Sequence, residues 1–196
     1  MTVLSDQLAH GAAHRATAID AFEIARRRFV SGDRIDMGAL AAQVGISRMT
    51  LNRWVGSRDV LLAEINWSLA EPTLDAARAR ARSSGAQLVT DTIGGFLADV
   101  LAAPFMRTFL TREPEIALRI LTTARTPFQT RVRSYLRDLI LQELEPAQLP
   151  LDPEDLAYLI VRIGESFCYV DLITGGQPDA DKARTAIAAL LGARPS

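Results

Sequence analysis

Arg48, Met49, Thr50, Asn52 and Arg53 put short, long and hydrogen-bonding side chains within six residues. Arg48 and Arg53 could each donate a pair of N–H groups to a guanine edge, the commonest specific contact in a major groove. On one short helix this set could read bases or hold phosphates, with Ser47 in front and Arg58 behind on the sugar-phosphate backbone.

Other chemistry has little support. There is no nucleotide-binding Gly-rich loop, no zinc-protease or Cys-pair metal motif and no strand-borne nucleophile turn. His10 and His14 lie at helical spacing, but no carboxylate or Cys cluster stands with them, so neither metal nor cofactor is expected. A second informative stretch is Ala157 to Ile173, largely apolar yet carrying Tyr158, Arg162, Glu165, Ser166, Tyr169 and Asp171. Buried charges are costly unless paired, and Arg162 and Glu165 are three residues apart. Two readings are open. The polar groups sit on a dimer rim or pair internally, or they point into a pocket. The pocket's companions would be Phe96, Phe105, Met106, Phe109, Phe128 and Tyr135. An apolar cavity with a few convergent polar groups is the usual form of a small-molecule site.

The first set needs a helix-turn-helix to present it. Asp36 can cap a short helix, Met37 to Gln43. Gly45 supplies the left-handed residue that ends it, and Ser47 caps the next helix, Arg48 to Trp54. Leu40, Val44, Ile46 and Leu51 can then meet as a small core. Gly56-Ser57-Arg58-Asp59 opens a third helix. An ordinary αα-hairpin in a helical domain is the plain alternative.

The run from 36 to 62 resembles the DNA-binding signature of the TetR family, at Gly45, Ile46, Ser47, Thr50, Leu51, Ser57, Arg58 and Leu61. The match covers roughly residues 14 to 65. It departs at Asn52, Trp54 and Val55, where the family usually has Tyr, His and Phe, and the basic position Arg58 is usually Lys. The phosphate contact of that Tyr is absent here or taken over by Asn52. Arg53 to Arg58 also resembles the QsdR-type branch, regulators of quorum-signal lactone breakdown. The resemblance implies a ligand-binding helical domain that dimerises through its last two long helices.

Elsewhere, Ile19, Phe22, Ala25 and Phe29 predict an amphipathic helix from Ala13 to Ser31. Residues 1 to 12 predict a frayed start, or an arm in which His10, His14 and Arg15 reach DNA. Glu71-Pro72 predicts a kink or break. Further helices are expected at 86–102, 104–111, 114–124, 127–145, 153–174 and 179–191, with Pro104, Pro114, Pro127 and Pro153 near their starts. Gly164 and the run Ala183, Ala186, Ile187, Leu190, Leu191 would permit close packing between protomers.

Net charge is −1 and does not advertise a nucleic-acid binder, but residues 1–60 carry 8 Arg against 6 acids. The one cysteine, Cys168, excludes an internal disulfide. No run approaches the roughly 18 apolar residues of a membrane span, and no signal pattern opens the chain. The expectation is therefore an all-α cytoplasmic protein. Residues 1–60 would form a three-helix DNA-binding domain, and residues 61–196 a larger helical ligand-binding and dimerisation domain. It would be a non-enzymatic regulator, a repressor by first choice. A homodimer formed through residues 153–191 would bind palindromic double-stranded operator DNA and be released by a small apolar ligand, with a lactone as candidate. The rival is an all-α carrier or enzyme with a structural helix-turn-helix.

Overall fold

A computed structural model describes residues 16–193, which contain helices, one 3-10 turn and no strand. The chain divides into two compact units between Leu61 and Leu62. Arm residues His10, His14 and Arg15 lie outside the described residues.

The first unit holds α1 (Ala18–Val30), α2 (Met37–Val44), α3 (Arg48–Val55) and the first turn of α4 (Arg58–Arg80). A reciprocal cap starts α1. The Thr17 hydroxyl accepts from the Asp20 N–H at 3.2 Å, and the Asp20 carboxylate accepts from the Thr17 N–H at 2.8 Å. α2 and α3 both pack on α1. The buried stripe of α1 is Ala21, Ala25 and Phe29, at a strict spacing of four, where small alanines admit the neighbouring helices. Ile19, expected on that stripe, is instead 72% exposed, because it falls on the opposite side of the row that α2 and α3 cover.

The second unit continues α4 and adds α5 (Gly85–Ala102), α6 (Pro104–Arg112), α7 (Pro114–Thr122), α8 (Phe128–Glu143), α9 (Pro153–Cys168), α10 (Val170–Ile173) and α11 (Ala180–Leu191). Pro104, Pro114 and Pro153 each occupy the first helical turn, where the missing N–H costs nothing, and Pro127 immediately precedes α8. Two breaks fall differently from expectation. α4 runs through Pro72, since buried Leu62, Ile65, Ala70, Leu74 and Ala77 hold both halves to the core. That packing outweighs the roughly 3 kcal/mol that an interior proline costs. The 153–174 helix is interrupted at Tyr169, whose ψ of 18° leaves the helical basin, so α9 and α10 are separate.

The inner layer is built by α11 on α5 and α9, and by α9 on α8. The small-residue run was expected to face another protomer. Its Ala183 and Ile187 are instead fully buried within the chain. A Cβ on Gly164 would meet the Leu97 side chain at 3.4 Å, so that glycine too serves packing inside the unit. Among the described residues, no single helix is long and apolar enough to cross a membrane.

Candidate functional site: an exposed reader helix and an apolar cavity

The reader segment is fixed by its caps. Asp36 Oδ1 accepts from the Ala39 N–H at 2.8 Å and starts α2. That bond holds the Asp36 carboxyl below its ordinary range. Gly45, at φ 78°, reverses the chain. Ser47 Oγ then accepts from the Thr50 N–H at 3.1 Å and starts α3. Leu40 and Leu51 are buried beneath the turn, while Val44 and Ile46 are only half-buried at its edge.

This leaves Arg48, Met49, Asn52 and Arg53 on the open face of α3, with Met49 82% exposed. A methionine that open gains nothing from the fold's own core. Thr50 is half-buried, and its hydroxyl is 2.9 Å from that of Ser47. Arg58 is partly spent inside the unit. Its Nε donates to the Ile35 carbonyl at 2.6 Å and ties the start of α4 to the segment before α2.

The second unit contains a cavity of about 180 Å³ between α4, α5, α6, α8 and α9. An apolar cavity of about 150 Å³ can hold a benzene-sized guest. Phe96, Phe105, Met106, Phe128, Glu165 and Tyr169 line it, so six of the nine candidate residues share one space. Three do not. Phe109 is buried one turn further along α6, away from the wall that Phe105 and Met106 form. Tyr135 turns to Asp75, donating its hydroxyl proton to Oδ1 at 2.8 Å, and burial and that carboxylate raise its phenol pKa. Arg162 stands behind Glu165 rather than on the wall.

Its guanidinium joins a polar cluster through both Nη atoms, while Nε is buried without a hydrogen-bond partner. Arg162 Nη1 lies 3.0 Å from Glu165 Oε2 and donates to the Thr122 carbonyl at 3.1 Å. Nη2 donates to Gln129 Oε1 at 2.7 Å. Gln129 Nε2 in turn donates to Glu165 Oε1 at 2.6 Å and to the Leu121 carbonyl. The Tyr158 ring is stacked 5.4 Å from the guanidinium carbon. Composition and spacing did not point to Gln129 or Asn66, both nearly buried on the cavity wall. The available signal for Asn66 was its place among Leu62, Ile65 and Leu69, an amide inside an apolar helical stripe.

Residues 84–192 match the family described as tetracyclin repressor-like, C-terminal domain. The chain belongs to the TetR family. Two solved TetR-family structures agree in fold. The transcriptional repressor QsdR of R. erythropolis is 26% identical, with a TM-score of 0.82 over 91% of this chain and 96% of that one. The repressor AlkX of Dietzia sp. strain DQ12-45-1b, implicated in biodegradation of n-alkanes, is 25% identical, with a TM-score of 0.58 over 92% and 94%. A comparison with curated proteins finds no match. As a TetR-family member the chain is a DNA-binding transcriptional regulator, and α2 and α3 are its helix-turn-helix.

In this TetR-family chain the cavity's carboxyl is electrostatically tuned. Burial pushes Glu165 from 4.5 up to about 7, against the pull of Arg162 and Gln129. Between those two values the folded chain holds a proton that the unfolded chain releases. Stability therefore declines as pH rises through the window, by about 1.4 kcal/mol per unit and roughly 3 kcal/mol in all. Melting temperatures of wild type and Glu165→Gln between pH 4.5 and 8 are expected to diverge accordingly, the variant lacking this part of the slope. Parallel curves would show that Glu165 ionises at its ordinary pH.

Proposed function

We propose that the chain is a ligand-responsive repressor of the TetR family that acts as a homodimer on a palindromic operator. Arg48, Met49, Thr50, Asn52 and Arg53 of α3 read or flank the bases, and Ser47 and Arg58 serve the phosphate backbone. A small, largely apolar ligand occupies the cavity and disfavours the DNA-competent state, so ligand and operator weaken each other through one linked equilibrium. The protein works in the cytoplasm and makes no covalent change to its ligand.

The observation that carries the ligand half is the aromatic cavity with a polar edge at Glu165 and Gln129. The 26% identity to QsdR over nearly the full length, and the Arg53–Arg58 run, favour a lactone as the ligand class. Dimerisation is assigned to the outward sides of residues 153–191, where Tyr158 is 44% exposed and Ala189 is open.

The test is fluorescence anisotropy with operator DNA taken from the chain's own upstream region, at two salt concentrations. Affinity should fall steeply with salt, as for any reader that neutralises phosphates. A γ-lactone with a short side chain should then release the DNA. The same ligand at 100 times its dissociation constant should stabilise the folded chain by about 2.7 kcal/mol. Tight operator binding that no lactone or other small apolar molecule disturbs would leave a regulator without this input.

A further inference from the structure

The polar groups of the cavity differ in one respect. Glu165 and Gln129 are held by Arg162 and by each other. Thr73, also on the wall, donates its hydroxyl proton to the Leu69 carbonyl at 2.7 Å. Asn66 is 2% exposed, and its Nδ2 donates to the Leu62 carbonyl, one turn back, at 2.8 Å. That bond fixes the amide's orientation and assigns the other atom as oxygen. Asn66 Oδ1 is buried and has no hydrogen-bond partner. Of the described residues that carry such an atom, Asn66 is the one that lines the cavity. Buried acceptors are almost always satisfied, and an exception calls for a partner.

We propose that Asn66 is the specificity-determining anchor of the ligand site and that the ligand presents an N–H or O–H donor to its Oδ1. The inference rests on the ligand-responsive reading above and narrows the chemistry. An unsubstituted lactone has only acceptor oxygens and leaves Asn66 as it was. A lactone bearing an amide N–H satisfies it, and the apolar remainder lies against Phe96, Phe105 and Phe128. The acceptor therefore selects between molecules of nearly equal shape. That kind of discrimination is strong when a buried polar group would otherwise be left alone.

The deciding pair of probes is an amide and an ester of the same shape. One is the N-butanoyl amide of α-amino-γ-butyrolactone, and the other is the butanoate ester of α-hydroxy-γ-butyrolactone. Titration calorimetry on the full chain is expected to show the amide binding about tenfold more tightly than the ester, as one buried hydrogen bond provides. In Asn66→Leu, a branched apolar side chain of similar shape, the ratio should collapse to about one while the ester still binds. The melting temperature of ligand-free Asn66→Leu should not fall, since an unsatisfied acceptor has been removed. A fall would show that the Nδ2 bond to the Leu62 carbonyl, which the variant also loses, outweighs the unpaired acceptor, and would make the amide structural. Should Asn66→Leu fail to fold, the N-methylated amide on wild type decides the matter, because it too must bind no better than the ester. Equal binding of amide and ester to wild type overturns the anchor and leaves the inducer cavity standing. A ratio that persists in Asn66→Leu does the same. If neither probe binds wild type, the lactone reading falls and the anchor falls with it.

Discussion

Ile187→Asp is expected to unfold the second unit rather than to yield folded monomers. The sequence alone placed Ile187 in a run of small and apolar residues suited to a protomer interface. The side chain is 0% exposed within one chain, on the helix that packs against α5 and α9. An isolated carboxylate there would lose its hydration and find no partner, a change that belongs among the exceptional losses of more than about 4–5 kcal/mol. A domain with a total stability of about 5–15 kcal/mol has little left after that. Ile187→Ala removes the same contacts without a charge and should cost about 2–5 kcal/mol, leaving a folded chain. Urea unfolding followed by circular dichroism checks both. A folded Ile187→Asp chain that sediments as a monomer would instead place this residue at the dimer contact.

The second large effect concerns DNA. Arg48→Ala and Arg53→Ala together should reduce operator affinity by roughly 30-fold or more, taking about 1–3 kcal/mol for each discriminating contact. Both side chains are exposed and neither caps a helix, so thermal stability should change by less than about 0.5 kcal/mol. The salt dependence separates the roles. An arginine on phosphate lowers the slope by about one when removed, whereas one on a base edge relaxes sequence preference instead. Unchanged affinity of the double variant for its operator would remove both residues from the reader set.

What could be read from the sequence was punctuation. Asp36, Ser47 and Asp152 accept from backbone N–H groups two or three residues on, and those bonds are local enough to infer without a fold. Gly45 is equally legible, because its positive φ is a demand of the chain itself. The prolines at 104, 114 and 153 mark starts for the same reason. What could not be read was direction across the core. Phe105 and Phe109 sit one turn apart on α6, and only the placement of its neighbours sends the first to the cavity and the second elsewhere. Tyr135 looked like a wall until Asp75, 60 residues earlier, was seen to accept its proton. Pro72 does not break α4, because tertiary burial along the helix outweighs the local penalty. Gln129 was invisible, since its partners come from α7 and α9 and leave no trace near it in sequence.

Cys168 has a practical consequence. It is the chain's one thiol, it lies on the cavity wall, and burial pushes its pKa up to about 12. At neutral pH almost none of it is the reactive thiolate, so oxidants and alkylating agents in bulk solvent should pass the folded protein by. Modification must wait for the walls to part and the thiol to meet water. The rate at which a thiol reagent labels this chain is then a clock for cavity opening, with no background from any other cysteine. A guest seated in the cavity should slow that clock in proportion to the time it stays.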